Sequence, residues 1–254
     1  MNTNVQRVTA IAATLTLTLV NGSAFAGMDG PGEKRIQRGA VDPARVERSA
    51  VSARSAYSRG HWQQRALSQW VEGFTRWIYS VPLGVSPVTD TTGVHCGASQ
   101  EGPVWFLTVP IGVASPFSRT CVVPHGKAIF TPIAAYPNTY PCPNPAFQPA
   151  PGQSIDDFLA GDAALVAESY SLIEATLNGV PLQPRRVTTR SFRVSAAADL
   201  SAVDGCVTGS TQTVLVDGHF VAIDPLPRGD HVLQVRSNSA FFGVTEGSFL
   251  LQVR

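Results

Sequence analysis

The sequence predicts a mainly β fold: an antiparallel β-sandwich with an N-terminal amphipathic helix and one short inserted helix. From residue 81 onward, short apolar runs alternate with Gly, Pro and Asn-Gly or Asp-Gly pairs, a pattern typical of all-β sandwiches and barrels. Just before residue 81, apolar side chains recur every three or four residues, which is the period of one helix face. We expect a single domain over residues 58–254.

The N-terminal helix is predicted over residues 58–80. Its apolar stripe contains Trp62, Ala66, Leu67, Trp70, Val71, Phe74, Trp77 and Ile78. Tryptophans on such a stripe form either a sugar-stacking platform or part of a core, and the helical spacing favours the core. Pro82 should end the helix, because proline disfavours helical geometry in the residue before it.

Three strands are predicted next. Residues 104–109 are apolar on both alternations, which indicates a central strand covered on both faces. Residues 120–123 and 127–133 are predicted to form a hairpin beside it, joined by a turn at 124–126.

A proline-rich segment and a helix follow. Residues 132–151 contain seven prolines, which predicts a long ordered loop pinned by Cys142. Ser154 and Asp157 form a capping box that should begin a short helix, weakened by Gly161.

The last third has the clearest strand pattern. Hairpin turns are predicted at Asn178-Gly179 and Asp217-Gly218 because glycine accepts a positive φ. The predicted strands are 171–177, 186–194, 213–216, 219–223, 231–235 and 248–253. The C-terminal predicted strands resemble the final strands of immunoglobulin-like and jelly-roll sandwiches, and periodicity does not choose between these two folds.

The first residues have the layout of an export signal. Residues 1–26 contain Arg7, an apolar run of 13 residues at 8–20 and the small residues Ala24 and Ala26. That run is shorter than the ~20 residues of a membrane-spanning helix, so we expect cleavage and no remaining transmembrane segment. Residues 27–57 contain almost no large apolar side chains and are predicted to form a disordered basic arm. The protein is expected in the periplasm or outside the cell.

Charge and cysteine content narrow the possibilities further. Removing residues 1–26 leaves 18 basic and 18 acidic side chains, which argues against nucleic acid as a partner. The four cysteines should form two disulfides in an oxidising compartment, with three pairings possible. We favour Cys96 with Cys121 and Cys142 with Cys206, because the first two flank one strand-turn unit and the last two flank the remaining insert.

Four segments carry a resemblance to a family of exported bacterial proteins of unknown function. They are residues 90–96 (DTTGVHC), 100–107 (QEGPVWFL), 119–128 (RTCVVPHGKA) and 225–231 (PLPRGDH). The resemblance implies export and a β-rich domain, and it brings no activity. The chain departs from the family at Thr131, where an aromatic is common, and at Arg236-Ser237, where a glycine pair is common.

Catalytic signals are sparse. There is no Gly-x-Ser-x-Gly elbow and no His-Glu-x-x-His pair. The candidate catalytic residues are Asp90, His95 and His125, because the bridge between Cys96 and Cys121 could bring the two histidines together. That assembly would form a surface zinc site or a general acid–base pair; the alternative is that each histidine is an ordinary loop residue.

One basic cluster offers a binding face. Alternation along the predicted strand would place Arg186 and Arg190 on the same face, able to bind an acidic glycan or an anionic envelope surface. A solvated face is the competing interpretation. We expect a non-catalytic exported protein with a recognition or envelope-structural role and no cofactor. The alternative is a secreted hydrolase or metal-dependent enzyme acting on an envelope or extracellular polymer.

Overall fold

A computed structural model describes residues 65–112, 115–195 and 199–254. The predicted signal peptide, the arm and residues 58–64 of the predicted helix lie outside the described residues. The helices are α1 (Leu67–Ser80) and α2 (Ile155–Glu168), with a 3-10 turn at Leu83–Val85. The strands are β1 (Val104–Phe106), β2 (Phe117–Val123), β3 (Ala128–Tyr140), β4 (Tyr170–Leu177), β5 (Val180–Pro181), β6 (Arg185–Thr188), β7 (Phe192–Ser195), β8 (Thr211–Ile223), β9 (Gly229–Ser239) and β10 (Gly243–Val253).

The described strands form two five-stranded sheets. The first has the order β1-β3-β8-β6, with β7 also paired to β8, and the second has the order β2-β10-β9-β4-β5. The mainly β prediction is therefore confirmed, but the purely antiparallel arrangement is wrong, because β1 pairs with β3 and β2 with β10 in parallel. These parallel pairs arise where the chain crosses between sheets instead of turning back within one.

The connection at residues 124–126 is such a crossing. It leads from β2 in the second sheet to β3 in the first, so the predicted hairpin is wrong. The His125 N–H donates to the carbonyl of Arg254 at 2.7 Å, and the Arg254 N–H donates to that of Val123 at 3.1 Å. Strand β2 therefore pairs with β10 and not with β3, the hairpin partner that the sequence predicts.

Both sheets contribute to one apolar cluster. Ile129 and Val221 of the first sheet belong to it together with Leu233 and Phe249 of the second. Helix α1 covers the opposite face of the first sheet, where the Phe74 ring lies 5.9 Å from that of Phe106. Strands β1, β3 and β8 of the first sheet are therefore mostly buried on both sides.

This double cover explains β1. All three of its residues are buried, as the continuous apolar run predicts. However, β1 lies at the end of its sheet, so the predicted central position is wrong. Helix packing on one face and the second sheet on the other bury an edge strand as completely as a central one.

Helix α1 ends where the sequence predicts. Its buried side chains include Trp70, Phe74 and Trp77, which confirms the core interpretation of the stripe. Ala66 is extended, so the described helix begins at Leu67, and the predicted start at residue 58 lies outside the described residues. Val81, which precedes Pro82, is extended at the other end.

Two segments predicted as loop or turn are strand. Strand β3 continues to Tyr140 and pairs with β8, which leaves residues 141–153 as the loop. Its register shifts next to Pro132, where an amide donor is missing.

Asp217-Gly218 lies inside β8 and makes no turn. A Cβ on Gly218 would lie 2.3 Å from that of Ala135, so close packing explains this glycine.

The predicted strand 186–194 is broken. Strand β6 ends at Thr188 and β7 begins at Phe192. Between them, the buried Thr189 hydroxyl accepts from the Val216 N–H at 3.0 Å and so takes the place of a ladder bond.

Several local predictions are confirmed. Asn178 and Gly179 both have positive φ in the turn between β4 and β5. The Asp157 N–H donates to Ser154 Oγ at 3.1 Å and caps α2. The disulfides join Cys96 to Cys121 and Cys142 to Cys206, the favoured pairing. No described helix is both long and apolar enough to cross a lipid bilayer.

Candidate binding site

An apolar cavity of about 470 Å³ opens at one end of the two sheets. Helix α1, the segment after β1, strand β3, the loop at 200–207 and the β9–β10 hairpin all contribute to its lining. The volume falls within the range of ~300–1,000 Å³ typical of small-molecule sites. We call it the end cavity.

The inner wall is made of side chains that belong to the core over α1. Phe74 and Ile78 point from the helix, and Val88 and Val207 come from loops. Each of the four is buried. The wall therefore offers an apolar ligand dispersion contacts and no exposed charge.

The mouth is apolar as well. The lining residues Ile111, Phe242 and Val244 have 40%, 38% and 50% of their surface exposed. The Phe242 ring stacks on that of Tyr136, with centroids 5.3 Å apart. Exposed apolar groups gathered at one opening are a common mark of a binding surface.

The polar groups in the lining are few and engaged with the protein. The Tyr136 hydroxyl donates to Asp204 Oδ2 at 2.7 Å. Ser115 Oγ accepts from the Glu246 N–H at 2.9 Å. Burial raises the pKa of Tyr170 to about 12, so its phenol stays neutral at physiological pH. Asp204 is the only charged one among the described residues of the cavity lining, and its carboxylate accepts the Tyr136 bond.

A buried arginine contacts two residues of the cavity lining. Strand β2 alternates inward and outward side chains, and Arg119 occupies an inward position with 1% of its surface exposed. Its Nη1 donates to the Thr108 carbonyl at 2.8 Å, and its guanidinium carbon lies 5.8 Å from the centroid of the Phe117 ring. Thr108 and Phe117 both line the end cavity.

The hydrogen bonds of Arg119 go to main-chain oxygens. Its Nη2 donates to the main-chain oxygen of Asp90, and its Nε has no hydrogen-bond partner. No carboxylate of the described residues forms an ion pair with it. Burial lowers the pKa of Arg119 to about 10, although the charge of Asp90 acts in the opposite direction.

Asp90 organises the turn that receives this arginine. Its carboxylate accepts from the N–H groups of Thr92 at 2.8 Å, Gly93 at 3.0 Å and His95 at 2.8 Å. Desolvation alone would raise the pKa of Asp90, but these bonds and one from the Thr92 hydroxyl outweigh it and hold the pKa below its ordinary value.

A glycine is required at residue 93 of the DTTGVHC segment for steric reasons. Gly93 has φ +96°, and a Cβ there would lie 2.3 Å from the Thr120 carbonyl oxygen. The Thr120 N–H in turn donates to the Thr92 carbonyl at 2.9 Å. The DTTGVHC segment is thus a turn docked on β2, and the disulfide from Cys96 to Cys121 holds it there.

The structure does not gather Asp90, His95 and His125 into a metal site. Asp90 bonds the main chain of His95, not its ring. His125 is exposed and lies four residues beyond Cys121, about 13 Å along an extended chain. Within the described residues, no three His, Cys, Asp or Glu side chains lie close enough to hold a metal ion.

Arg186 and Arg190 are also placed differently. Arg186 makes two hydrogen bonds to Asp217, at 3.0 and 2.8 Å, which raise its pKa. Arg190 is exposed in the segment between β6 and β7. Because the strand breaks at Thr189, alternation does not place the two on a common strand face.

Sequence reasoning missed the end cavity. Its lining comes from segments that span residues 74 to 245 and that no short motif unites. The adjacent aromatics Phe241 and Phe242 were the available signal, because two large rings at a hairpin tip are costly to expose unless they contact something. No protein-family model, curated protein or solved structure matches this chain.

Proposed function

We propose that this chain is an exported, non-catalytic recognition protein that binds an apolar ligand in the end cavity. The observation that carries the proposal is a cavity of about 470 Å³ whose inner wall is apolar and whose mouth exposes Ile111, Phe242 and Val244. Water in such a space makes few hydrogen bonds, so replacing it with apolar ligand surface is favourable.

The polar side chains that line the end cavity fit ligand binding better than catalysis. Tyr136 and Ser115 are engaged with Asp204 and Glu246, and a positioned acid–base pair would need a free partner in reach of the ligand. We therefore favour the recognition role over a hydrolase or metal-dependent enzyme.

Export is part of the proposal. The predicted signal at residues 1–26 and the resemblance to exported bacterial proteins support it, and two disulfides fit an oxidising compartment, periplasmic or extracellular. We also propose that the two sheets form a β-sandwich, since they share one apolar cluster. The parallel pair of β2 and β10 would distinguish it from a purely antiparallel sandwich.

The test is titration of the disulfide-bonded protein with N-phenyl-1-naphthylamine, a neutral dye whose fluorescence rises in apolar surroundings. Val203→Trp should fill part of the cavity, because Val203 lines it, and should weaken dye binding by about tenfold or more. Val122→Trp is the matched control, because Val122 is 56% exposed and lies outside the lining. No dye binding by the wild type, or equal binding by both variants, would overturn the proposal.

A further inference from the structure

The mouth of the end cavity lies where two charge-free segments meet. Residues 102–118 lead through β1 into β2, and residues 237–245 form the turn between β9 and β10; neither contains Asp, Glu, Lys, Arg or His. Ser115 Oγ accepts from the Glu246 N–H at 2.9 Å and donates to the Glu246 carbonyl at 3.2 Å, which holds the two segments side by side. The exposed apolar side chains of the mouth therefore share one uncharged surface.

The β9–β10 hairpin is free of charge to a depth that suits a bilayer surface. Its first charged pair is Arg236 with Glu246, which are partners in the strand register and whose side chains approach to 3.5 Å. Three residue pairs, or about 10 Å of strand, separate that ion pair from the turn. Segments that lie at a membrane interface bury their apolar side chains about 5–10 Å into the boundary between head groups and acyl chains. The uncharged tip matches that depth.

The main chain at the tip is satisfied within the protein. The N–H groups of Phe241 and Phe242 both donate to Ser239 Oγ, at 3.0 and 3.3 Å. The Ala240 N–H donates to the Ser169 carbonyl at 3.0 Å. Irregular backbone is costly in an apolar layer because its donors lose their bonds to water. Three consecutive donors of this turn do not incur that cost.

The distribution of charge favours a lipid surface over a protein partner. Interfaces between proteins carry polar side chains and hydrogen bonds at their rim, whereas the two segments at this mouth offer uncharged side chains and tip donors that are already bonded. The described lining contains no Lys or Arg, and Asp204 is its only charged residue. Apolar insertion, and not attraction to anionic head groups, is therefore the source of affinity that this surface can supply.

We propose that the mouth of the end cavity docks on the surface of a lipid bilayer, with Ile111, Phe242 and Val244 inserted among the head groups and upper acyl chains. Docked in this way, the cavity opens toward the phase in which an apolar ligand is most soluble. This inference goes beyond the proposed function and does not depend on it, because the exposed side chains insert whatever the cavity holds.

The experiment is sedimentation of the disulfide-bonded protein with sucrose-loaded phosphatidylcholine vesicles, which carry no net charge. We expect the wild type to bind them and to remain bound at high salt, because apolar side chains supply the affinity. Phe242→Ser and Val244→Ser should each weaken vesicle binding by about fivefold or more. Val244→Ser leaves the Phe242 ring stacked on Tyr136, so it decides the matter if Phe242→Ser does not fold.

Val122→Ser and Val232→Ser are the matched controls. These valines are 56% and 39% exposed. Their partners in β10 are Gln252 and Leu250, which lie about 20 Å or more along that strand from Val244. Both controls should bind vesicles as the wild type does.

Three results would count against the docking. The first is no binding of the wild type to phosphatidylcholine, or equal losses in the control variants. The second is binding that requires phosphatidylglycerol and disappears at high salt, which would assign the attraction to charge. The third is self-association without lipid that both mouth variants remove, which would make the mouth a contact between copies of the chain. The dye titration reports separately on the cavity, so failure of the docking and failure of the proposed function are distinguished.

Discussion

At the scale of single residues, the motifs that stand out in the sequence serve structure. Asp90 and Gly93 build one turn: the carboxylate binds three N–H groups, and the glycine lets the turn approach Thr120. Arg119 begins one of the segments singled out in the sequence, and no local pattern there predicts its burial. Only its inward position on β2 shows that its charge is buried.

The Asp90 turn should make stability depend on pH. The pKa of Asp90 is lower in the folded protein than the ordinary value of about 3.9, so its contribution is present above pH ~4 and is lost as pH falls through the folded pKa. Asp90→Asn, whose amide cannot accept all of these bonds, should lower the unfolding free energy by about 1–3 kcal/mol at pH 7. Urea unfolding of both proteins from pH 7 to pH 2 should show the difference shrinking below pH ~4.

Asp199→Asn is the control for this prediction. Asp199 also accepts from a main-chain N–H, that of Ser201 at 2.8 Å, but it is fully exposed, so water replaces the lost bond and the effect should be smaller. A wild-type to Asp90→Asn difference that stays constant across the pH range would contradict the assignment.

At the scale of elements, packing between strands decided what local patterns could not. Asp217-Gly218 has the composition of a hairpin turn, yet β8 runs through it because β3 lies alongside as far as Tyr140. The glycine is required by the Ala135 side chain opposite, where the register of β3 has just shifted.

Two glycines should therefore respond in opposite directions to alanine. Gly218→Ala should lower the unfolding free energy by about 1–3 kcal/mol, because its Cβ would overlap Ala135. Gly161→Ala, exposed within α2 and with no atom within 4 Å of the added Cβ, should raise it by about 0.5–1 kcal/mol. Urea denaturation measures both. A Gly218→Ala protein as stable as the wild type would contradict the close approach of β8 to β3.

At the scale of the whole molecule, the disulfides connect parts that the sheets do not. One fastens the Asp90 turn to β2 across 25 residues, and the other joins the proline-rich loop to the segment before β8 across 64. Cys142 and Cys206 lie in a third apolar cluster with Phe147 and Phe158, so that bridge also holds α2 in place.

Removing either bridge should cost substantial stability. The chain-entropy relation gives about 3.5 kcal/mol for Cys96→Ala/Cys121→Ala and about 4 kcal/mol for Cys142→Ala/Cys206→Ala, because the longer loop gains more freedom in the unfolded chain. Denaturant unfolding of the two double variants measures this. A loss below about 1 kcal/mol in either variant would show that its bridge does not constrain the unfolded chain.

The sequence by itself determined the features that depend on near neighbours: the stripe and end of α1, the Ser154 cap, the Asn178-Gly179 turn and the mainly β character. Each follows from backbone preferences or from a period within a few residues. Tertiary structure decided the sheet partners, the continuation of β3 and β8, the burial of Arg119 and the end cavity. Those features arise where segments distant in the chain compete for the same hydrogen bonds and the same space. No local sequence pattern shows which of these segments pair and pack together.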